Sequence, residues 1–159
     1  MAKPMVVDSP IFDAVNCEVY FSPNGGVTGH LVKYIDKAQH KIRLLAYNFT
    51  SVDIANALLR AKARGVDVFL VLDKSVPTEK NSALGLLYPT IPVLIDHTHA
   101  ISHNKVILVD DTYFETGSFN YSDNAEKKNG ENALMCKSVQ GTFLYNANWE
   151  LHKSHSVAP

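Results

Sequence analysis

The sequence has few cysteines and no long apolar run. Its two cysteines, Cys17 and Cys136, lie far apart and have neither metal-ligand nor redox spacing. We therefore predict two buried thiols rather than a disulfide framework. No segment approaches the roughly 20 apolar residues that a membrane-spanning helix needs, so we expect no membrane span. Residues 1–16 also lack the continuous apolar stretch of a signal peptide.

An excess of positive charge is missing too. The 159 residues carry 15 Lys and Arg against 16 Asp and Glu, which gives a formal net charge of -1. Affinity for nucleic-acid phosphates comes largely from Lys and Arg, so this balance excludes a general attraction to nucleic acid. Any site for a polyanion must be a local patch.

Length and composition indicate one ordinary domain. Hydrophobic residues make up 46% of the chain and charged residues 19%, which is far from disordered or coiled-coil compositions. We expect residues 1–16 to be an N-terminal extension and residues 17–159 to form a single domain. As it stands the sequence predicts a cytoplasmic protein, and a periplasmic or secreted one if a signal peptide was removed.

Strand and helix patterns alternate in the first half of the chain. They predict strands at residues 17–21, 42–47 and 66–72 and helices at residues 28–39 and 54–64. Ser51 precedes the second helix and Gly65 follows it, as helix start and stop signals do. The order predicts an α/β protein with a mixed, largely parallel sheet flanked by helices on both faces.

The second half of the chain is less regular. We predict a short helix at residues 83–87, a strand near Val93, strands at residues 105–109, 112–116 and 132–137, and a C-terminal helix at residues 141–154. The turn-like pair Asp110-Asp111 predicts a hairpin between the first two strands of the last group.

The residues whose side chains could take part in a reaction lie between His103 and Glu131. Side chains alternate across a strand, so His103 and Lys105 project from one face, about 7 Å apart. Ser118 and Asn120 repeat this spacing directly after Gly117. Asp110 has the opposite parity to His103, and we predict a structural role for it.

These residue types suit phosphodiester chemistry. Lys105 and Asn120 can donate hydrogen bonds to the oxygens of a phosphoryl transition state, with help from Ser118. A neutral His103 imidazole can attack phosphorus and form a covalent phosphohistidine, which divides one difficult displacement into two easier ones. Glu131 can accept the other ring N–H of His103 and fix its tautomer.

The spacing of these residues resembles a known motif. The run His103-x-Lys105-(x)4-Asp110-(x)6-Gly117-Ser118-x-Asn120 is similar to the defining motif of the phospholipase D superfamily, and Glu131 falls where the small bacterial nucleases of that superfamily carry an acidic residue. Supporting similarity extends to residues 20–23, 46–50 and 64–68. The resemblance therefore covers nearly the whole chain.

The resemblance implies a metal-independent, cofactor-free phosphodiesterase that cleaves DNA, and RNA as a further substrate, without sequence specificity. It implies that His103 is the nucleophile, that Lys105 and Asn120 bind phosphate, that Ser118 is a site hydroxyl, and that Glu131 orients His103. Two alternatives stay open. They are a phospholipid phosphodiesterase or phosphatidyl transferase, and a non-catalytic nucleic-acid-binding protein of the same fold.

The motif occurs once, whereas most members of the superfamily carry it twice in one chain. The chemistry requires one histidine to attack and another to protonate the leaving oxygen. We therefore predict a homodimer with a shared active site.

Further histidines and lysines lie near the motif. His97, His99 and His103 fall within seven residues, but no Cys or carboxylate completes a familiar zinc spacing, so we predict no metal site. We expect His97 and His99 to line the mouth of the substrate groove. The local basic rim is predicted from Lys127 and Lys128, with Lys74 and Lys80. The surface histidines are predicted to be His30, His40, His152 and His155.

Overall fold

The computed structural model describes residues 16–159, which contain one seven-stranded sheet. The elements in chain order are β1 (Asn16–Ser22), α1 (Val27–Lys37), β2 (Lys41–Ala46), α2 (Val52–Ala63), β3 (Asp67–Asp73), a 3-10 turn (Val76–Thr78), α3 (Leu84–Leu87), β4 (Val93–Asp96), β5 (Lys105–Val109), β6 (Tyr113–Gly117), α4 (Asp123–Lys127), β7 (Glu131–Lys137) and α5 (Val139–Ser154). The extension predicted for residues 1–16 lies outside the described residues, except that Asn16 begins β1.

The strand order is β1-β7-β6-β5-β2-β3-β4. The prediction of a mixed α/β sheet is confirmed, but the prediction that it is largely parallel is wrong. Only the pairs β2·β3 and β3·β4 are parallel, and the other four are antiparallel. After β1 the chain passes through α1 to β2, which is not a neighbour of β1 in the sheet, so this crossover makes no parallel pair. The short hairpin between β5 and β6 makes these two strands antiparallel.

Helices cover both faces of the sheet, as predicted. On one face Leu31 of α1 and Leu58 of α2 belong to the larger hydrophobic cluster. On the other face Trp149 of α5 packs in a smaller cluster with Leu45 and Phe114. The Trp149 indole also donates to the backbone oxygen of Leu44 at 3.1 Å, which ties α5 to β2. Within residues 16–159 no helix is long and apolar enough to cross a bilayer.

Asp110 joins two distant turns. Its carboxylate accepts the backbone N–H groups of Gln39, His40 and Lys41 at 2.8 to 2.9 Å. Burial raises the pKa of Asp110, but these backbone hydrogen bonds outweigh it and hold the pKa below its usual value. Asp110 and Asp111 both have positive φ, which is typical of a tight hairpin turn. The carboxylate thus fixes the start of β2 against the β5–β6 hairpin.

The two cysteines form a disulfide, so the prediction of two thiols is wrong. Cys17 and Cys136 stand directly opposite each other in the β1–β7 register, with their Cα atoms 4.1 Å apart. They are 119 residues apart in sequence. No local pattern shows that the first described strand pairs with the last one.

The side chain of Glu115 places a carboxyl group in the protein interior. It lies on β6, and its Oε2 accepts the hydroxyl of Tyr121 at 2.8 Å. Its other oxygen, Oε1, is buried without a hydrogen-bond partner among the described residues. Burial raises the pKa of Glu115 to about 8, and the hydrogen bond from Tyr121 opposes this only in part. The carboxyl group is therefore mostly protonated at neutral pH.

This raised pKa predicts a loss of stability with rising pH. The folded state holds the Glu115 proton more tightly than the unfolded state, whose ordinary pKa is 4.5. The stabilisation is complete below that value and is lost as pH rises towards about 8. Glu115→Gln should remove a dependence of up to about 1.4 kcal/mol per pH unit.

Urea unfolding between pH 5 and 9 measures this effect as the difference in unfolding free energy between wild type and Glu115→Gln. Exposed Glu150, substituted in the same way, is the matched control and should keep the wild-type slope. Parallel pH profiles for wild type and Glu115→Gln would show that Glu115 is already ionised in the fold.

Candidate active site

A pocket of about 550 Å³ opens at one edge of the sheet. It lies where β5 begins, β6 ends and β7 begins, because antiparallel neighbours bring these strand ends together. Its lining residues are His103, Lys105, Gly117, Ser118, Asn120, Glu131 and Asn132. The structure therefore brings all five predicted catalytic residues together in one chain.

Lys105 places a fixed cation at the base of this pocket. Its side chain is only 5% exposed, and its Nζ donates to the backbone oxygen of His103 at 2.8 Å. The same Nζ lies 5.3 Å from the centre of the Tyr47 ring, within the range of a cation–π contact. Burial lowers the pKa of Lys105, while the charge of Glu131 acts in the opposite direction.

His103 is exposed at the pocket and packs against an aromatic ring. The His103 and Tyr47 ring centroids are 4.6 Å apart, and the rings are tilted by 59°. The loop before His103 is anchored because Asp73 Oδ2 accepts the backbone N–H of Ser102 at 2.6 Å. Tyr47 reaches this position because β2 pairs with β5, with Ala46 opposite Lys105. Sequence reasoning did not identify Tyr47 as a neighbour of the site.

Gly117, Ser118 and Asn132 form a tightly packed wall. The Ser118 hydroxyl accepts the backbone and side-chain N–H groups of Asn132 at 3.1 and 3.4 Å. A Cβ at Gly117 would collide with the backbone oxygen of Asn132. Only glycine therefore lets the two chain segments approach this closely. Asn132 is a lining residue that the sequence analysis missed.

Asn120 and Glu131 have spare hydrogen-bonding capacity in the pocket. The Asn120 side-chain oxygen is buried and has no partner among residues 16–159. The Glu131 carboxylate accepts the Asn129 amide at 3.3 Å. Within the described chain no hydrogen bond joins Glu131 to His103. The predicted orienting contact therefore stays a prediction.

The pocket is not lined by any of the six residues predicted for the basic rim and the groove mouth, which are Lys74, Lys80, Lys127, Lys128, His97 and His99. Lys127, Lys128 and His97 are exposed, and the Lys127 ammonium pairs with Asp123 at 2.8 Å. A basic rim beyond the pocket itself stays a prediction.

His99, predicted for the mouth of the groove, belongs to a separate cluster with Asp96, His152 and His155. The prediction that His152 is a surface residue is wrong, since it is only 7% exposed. It is buried because the end of α5 packs beside β4. The close spacing of His97, His99 and His103 in the sequence raised the question of a zinc site. In the structure these three do not form one cluster, because His99 belongs to the cluster around Asp96 and only His103 lines the pocket.

Known proteins resemble this chain over most of its length. A family model for the cardiolipin synthase PLD-like domain matches residues 31–151. A relative from Rickettsia prowazekii (strain Madrid E), named phospholipase D, is 38% identical over 144 residues, which cover 90% of this chain and 70% of the relative.

Two solved structures have the same fold. One is Nuc, a phospholipase D family member from Salmonella typhimurium, with a TM-score of 0.84 and 36% identity over 89% of this chain and 95% of that chain. The other is NucT from Helicobacter pylori, with a TM-score of 0.83 and 24% identity over 91% of this chain and 99% of that chain. The second likeness shows the fold alone.

Proposed function

This chain belongs to the phospholipase D-like family, and we propose that it is a metal-independent endonuclease that cleaves DNA, and RNA as a further substrate. The observation that carries the proposal is the meeting of His103, Lys105, Ser118, Asn120 and Glu131 in one pocket. Membership of this family supports the general activity, that of a phosphodiesterase of the phospholipase D superfamily.

In the proposed first step a ring nitrogen of His103 attacks the phosphorus. A nitrogen–phosphorus bond forms, the bond from phosphorus to the leaving oxygen breaks, and that oxygen takes a proton. Lys105 and the Asn120 amide bind the non-bridging oxygens, and the Ser118 hydroxyl assists them. These groups stabilise the charge that develops in the transition state.

In the second step water attacks the same phosphorus. The nitrogen–phosphorus bond breaks, the phosphomonoester leaves, and His103 regains its lone pair. The group that gave its proton to the leaving oxygen now takes one from the attacking water. Glu131 is the proposed hydrogen-bond acceptor that holds the second ring nitrogen of His103 during both steps.

The acid and base in these steps is a second histidine, which we assign to His103 of a second copy of the chain. An exposed apolar strip suits such a dimer. Val19, Phe21 and Leu134 are exposed on one face of β1 and β7, and Phe21 is 62% exposed. Phe21 stands opposite Asn132, a lining residue of the pocket. In the proposed dimer, a two-fold axis beside this strip would bring the two pockets together.

The residues that line the pocket support a mechanism without a metal. Mg²⁺ in phosphoryl-transfer sites is held by carboxylates together with substrate oxygens. Glu131 is the single carboxylate among the lining residues, and the Lys105 ammonium occupies the base of the pocket. The chain's own cation therefore supplies the charge that a metal provides elsewhere.

A lipid substrate is the second candidate, favoured by the name phospholipase D of the Rickettsia relative. A lipid substrate needs an apolar wall for its acyl chains. All seven lining residues of the pocket are polar or glycine, which favours a nucleic acid.

The Cys17–Cys136 disulfide is typical of oxidising compartments and favours a periplasmic or secreted location.

Cleavage in the presence of a chelator tests the proposed function. Purified protein is incubated in millimolar EDTA with plasmid DNA, single-stranded DNA, RNA and phospholipid vesicles. We expect cleavage of DNA, and of RNA, at the rate seen without chelator, because every proposed catalytic group belongs to the chain. The assay is run well below the unfolding temperature of the protein. Any loss of protein stability that the chelator causes then does not reduce the cleavage rate.

Three results would contradict this proposal. Loss of cleavage that Mg²⁺ or Zn²⁺ restores would show that the chemistry needs a metal. Turnover of phospholipid with intact nucleic acids would support the lipid candidate. Binding of nucleic acid without turnover of any substrate would support the non-catalytic alternative.

A further inference from the structure

Three imidazoles surround one carboxylate away from the proposed active site. His99 Nδ1 lies 2.8 Å from Asp96 Oδ2, and His152 Nδ1 lies 2.9 Å from the same oxygen. His155 Nε2 is 3.3 Å from it. The four candidate ligand atoms all lie within 4.8 Å of one another. None of these four residues lines the active-site pocket.

We propose that Asp96, His99, His152 and His155 form a binding site for a divalent transition metal, with Zn²⁺ as the preferred ion. Three imidazole nitrogens and one carboxylate oxygen are a donor set that zinc accepts. Tetrahedral zinc with bonds of about 2.0 to 2.1 Å separates its ligand atoms by about 3.3 Å. The observed separations from Asp96 Oδ2 lie within about 0.5 Å of this value, and the ligand atoms that are up to 4.8 Å apart would move closer by about 1.5 Å on binding.

The hydrogen bonds of the cluster leave one ligand atom unused. Asp96 is fully buried, and the buried His155 Nε2 lies 3.3 Å from Asp96 Oδ2 in a geometry that does not make a hydrogen bond, nor does it make one elsewhere in the described part of the chain. A buried nitrogen whose hydrogen bonding is not satisfied is costly, and most such groups in folded proteins are satisfied. Coordination of a metal would use this nitrogen. The His99 side chain is 38% exposed and leaves a route for the ion.

The cluster joins three separate parts of the fold. Asp96 ends β4, His99 lies in the loop that leads to His103, and His152 and His155 lie at the end of α5. The chain beyond α5 also pairs with β4, because Ile95 and Val157 exchange backbone hydrogen bonds at 2.7 and 3.1 Å. A metal would clamp the C-terminal segment to β4 and to the loop. Its effect is therefore on stability rather than on phosphoryl transfer.

Zinc binding by the purified full chain tests this site. The protein is stripped with a chelator, dialysed, and titrated with Zn²⁺ by calorimetry, and Co²⁺ is used to record the visible absorption of a tetrahedral ion. We expect one ion per chain. Saturation with Zn²⁺ at about 100 times Kd should raise the unfolding temperature by about 5 to 10 °C.

His155→Ala removes one ligand and should weaken Zn²⁺ binding by about 100-fold or more. His97→Ala is the matched control, because His97 is an exposed histidine of the same loop outside the cluster. It should bind Zn²⁺ as wild type does. His99→Ala is the second ligand variant and decides the result if His155→Ala does not fold.

The proposal is overturned if wild type shows no stoichiometric Zn²⁺ binding and no thermal shift. It is also overturned if the ligand variants that fold bind Zn²⁺ as tightly as His97→Ala does. In those cases the four residues form a hydrogen-bonded cluster only. Because the readouts are binding and unfolding, they do not depend on the proposed nuclease activity.

Discussion

His103→Ala should lower turnover of DNA by at least about 10³-fold, because it removes the proposed nucleophile. Binding should change little, since the variant retains Lys105 and Asn120, the proposed phosphate ligands. The fold should survive, because the exposed His103 ring contacts Tyr47 but makes no hydrogen bond within residues 16–159. The measurements are single-turnover cleavage and equilibrium binding to the same labelled DNA.

His40→Ala is the control for this variant, since His40 is exposed and lies outside the pocket. It should retain wild-type cleavage. A second readout is an acid-labile adduct, in which the labelled nucleotide fragment is joined through its phosphorus to the peptide that contains His103, after rapid quenching of wild type. Near-normal cleavage by His103→Ala would show that the nucleophile is another residue.

Lys105→Ala should damage both binding and turnover. Its Nζ is the buried cation of the pocket, held by the backbone oxygen of His103 and the ring of Tyr47. We expect kcat/KM to fall by about 10²- to 10³-fold, the usual loss when a transition-state donor is removed. Nucleic-acid binding should weaken, and the slope of its salt dependence should fall by about one unit.

Lys33→Ala provides the matched comparison, because Lys33 is an exposed lysine of α1 that lies outside the pocket and outside the predicted basic rim. Its effect on kcat/KM should be small. Circular dichroism and thermal unfolding of both variants separate a catalytic loss from a folding defect. If folded Lys105→Ala cleaved and bound as well as Lys33→Ala does, the assignment of Lys105 as a phosphate ligand would be wrong.

Elements set by local signals could be predicted from the sequence. The strand predicted at residues 105–109 has the observed bounds of β5. Ser51 accepts the backbone N–H of Ile54 as an N-cap, and Gly65 follows α2 with a φ of 90°. Such features depend on residues within one helical turn or one hairpin. Local chemistry alone therefore decides them.

Features set by pairing between distant strands could not be predicted in this way. The Cys17–Cys136 disulfide exists because β1 joins the sheet beside β7. The same lack of pairing information led to the prediction of a largely parallel sheet. A strand pattern states which residues are buried, but it does not state which strand is the neighbour or its direction.

The residues of the candidate site also fall into two groups, those that local spacing predicts and those that only the tertiary structure brings together. His103, Lys105, Ser118 and Asn120 could be selected because their spacing along the chain carries the motif. Tyr47 reaches the site through the pairing of β2 with β5. The cluster around Asp96 was also missed, because its histidines come from two segments about 50 residues apart in sequence. The proximity of His99 to His152 is visible only once α5 is placed beside β4.

The central claim is that two copies of His103 share one active site, and a subunit-mixing experiment tests it most directly. Wild-type protein is mixed with His103→Ala in varied proportions, and a tag on one protein verifies complete exchange of subunits. If both histidines are required, only wild-type homodimers are active. Activity then follows the square of the wild-type fraction, and an equal mixture retains roughly a quarter of the activity of undiluted wild type. A linear dependence, with about half of the activity in the equal mixture, would contradict the shared site.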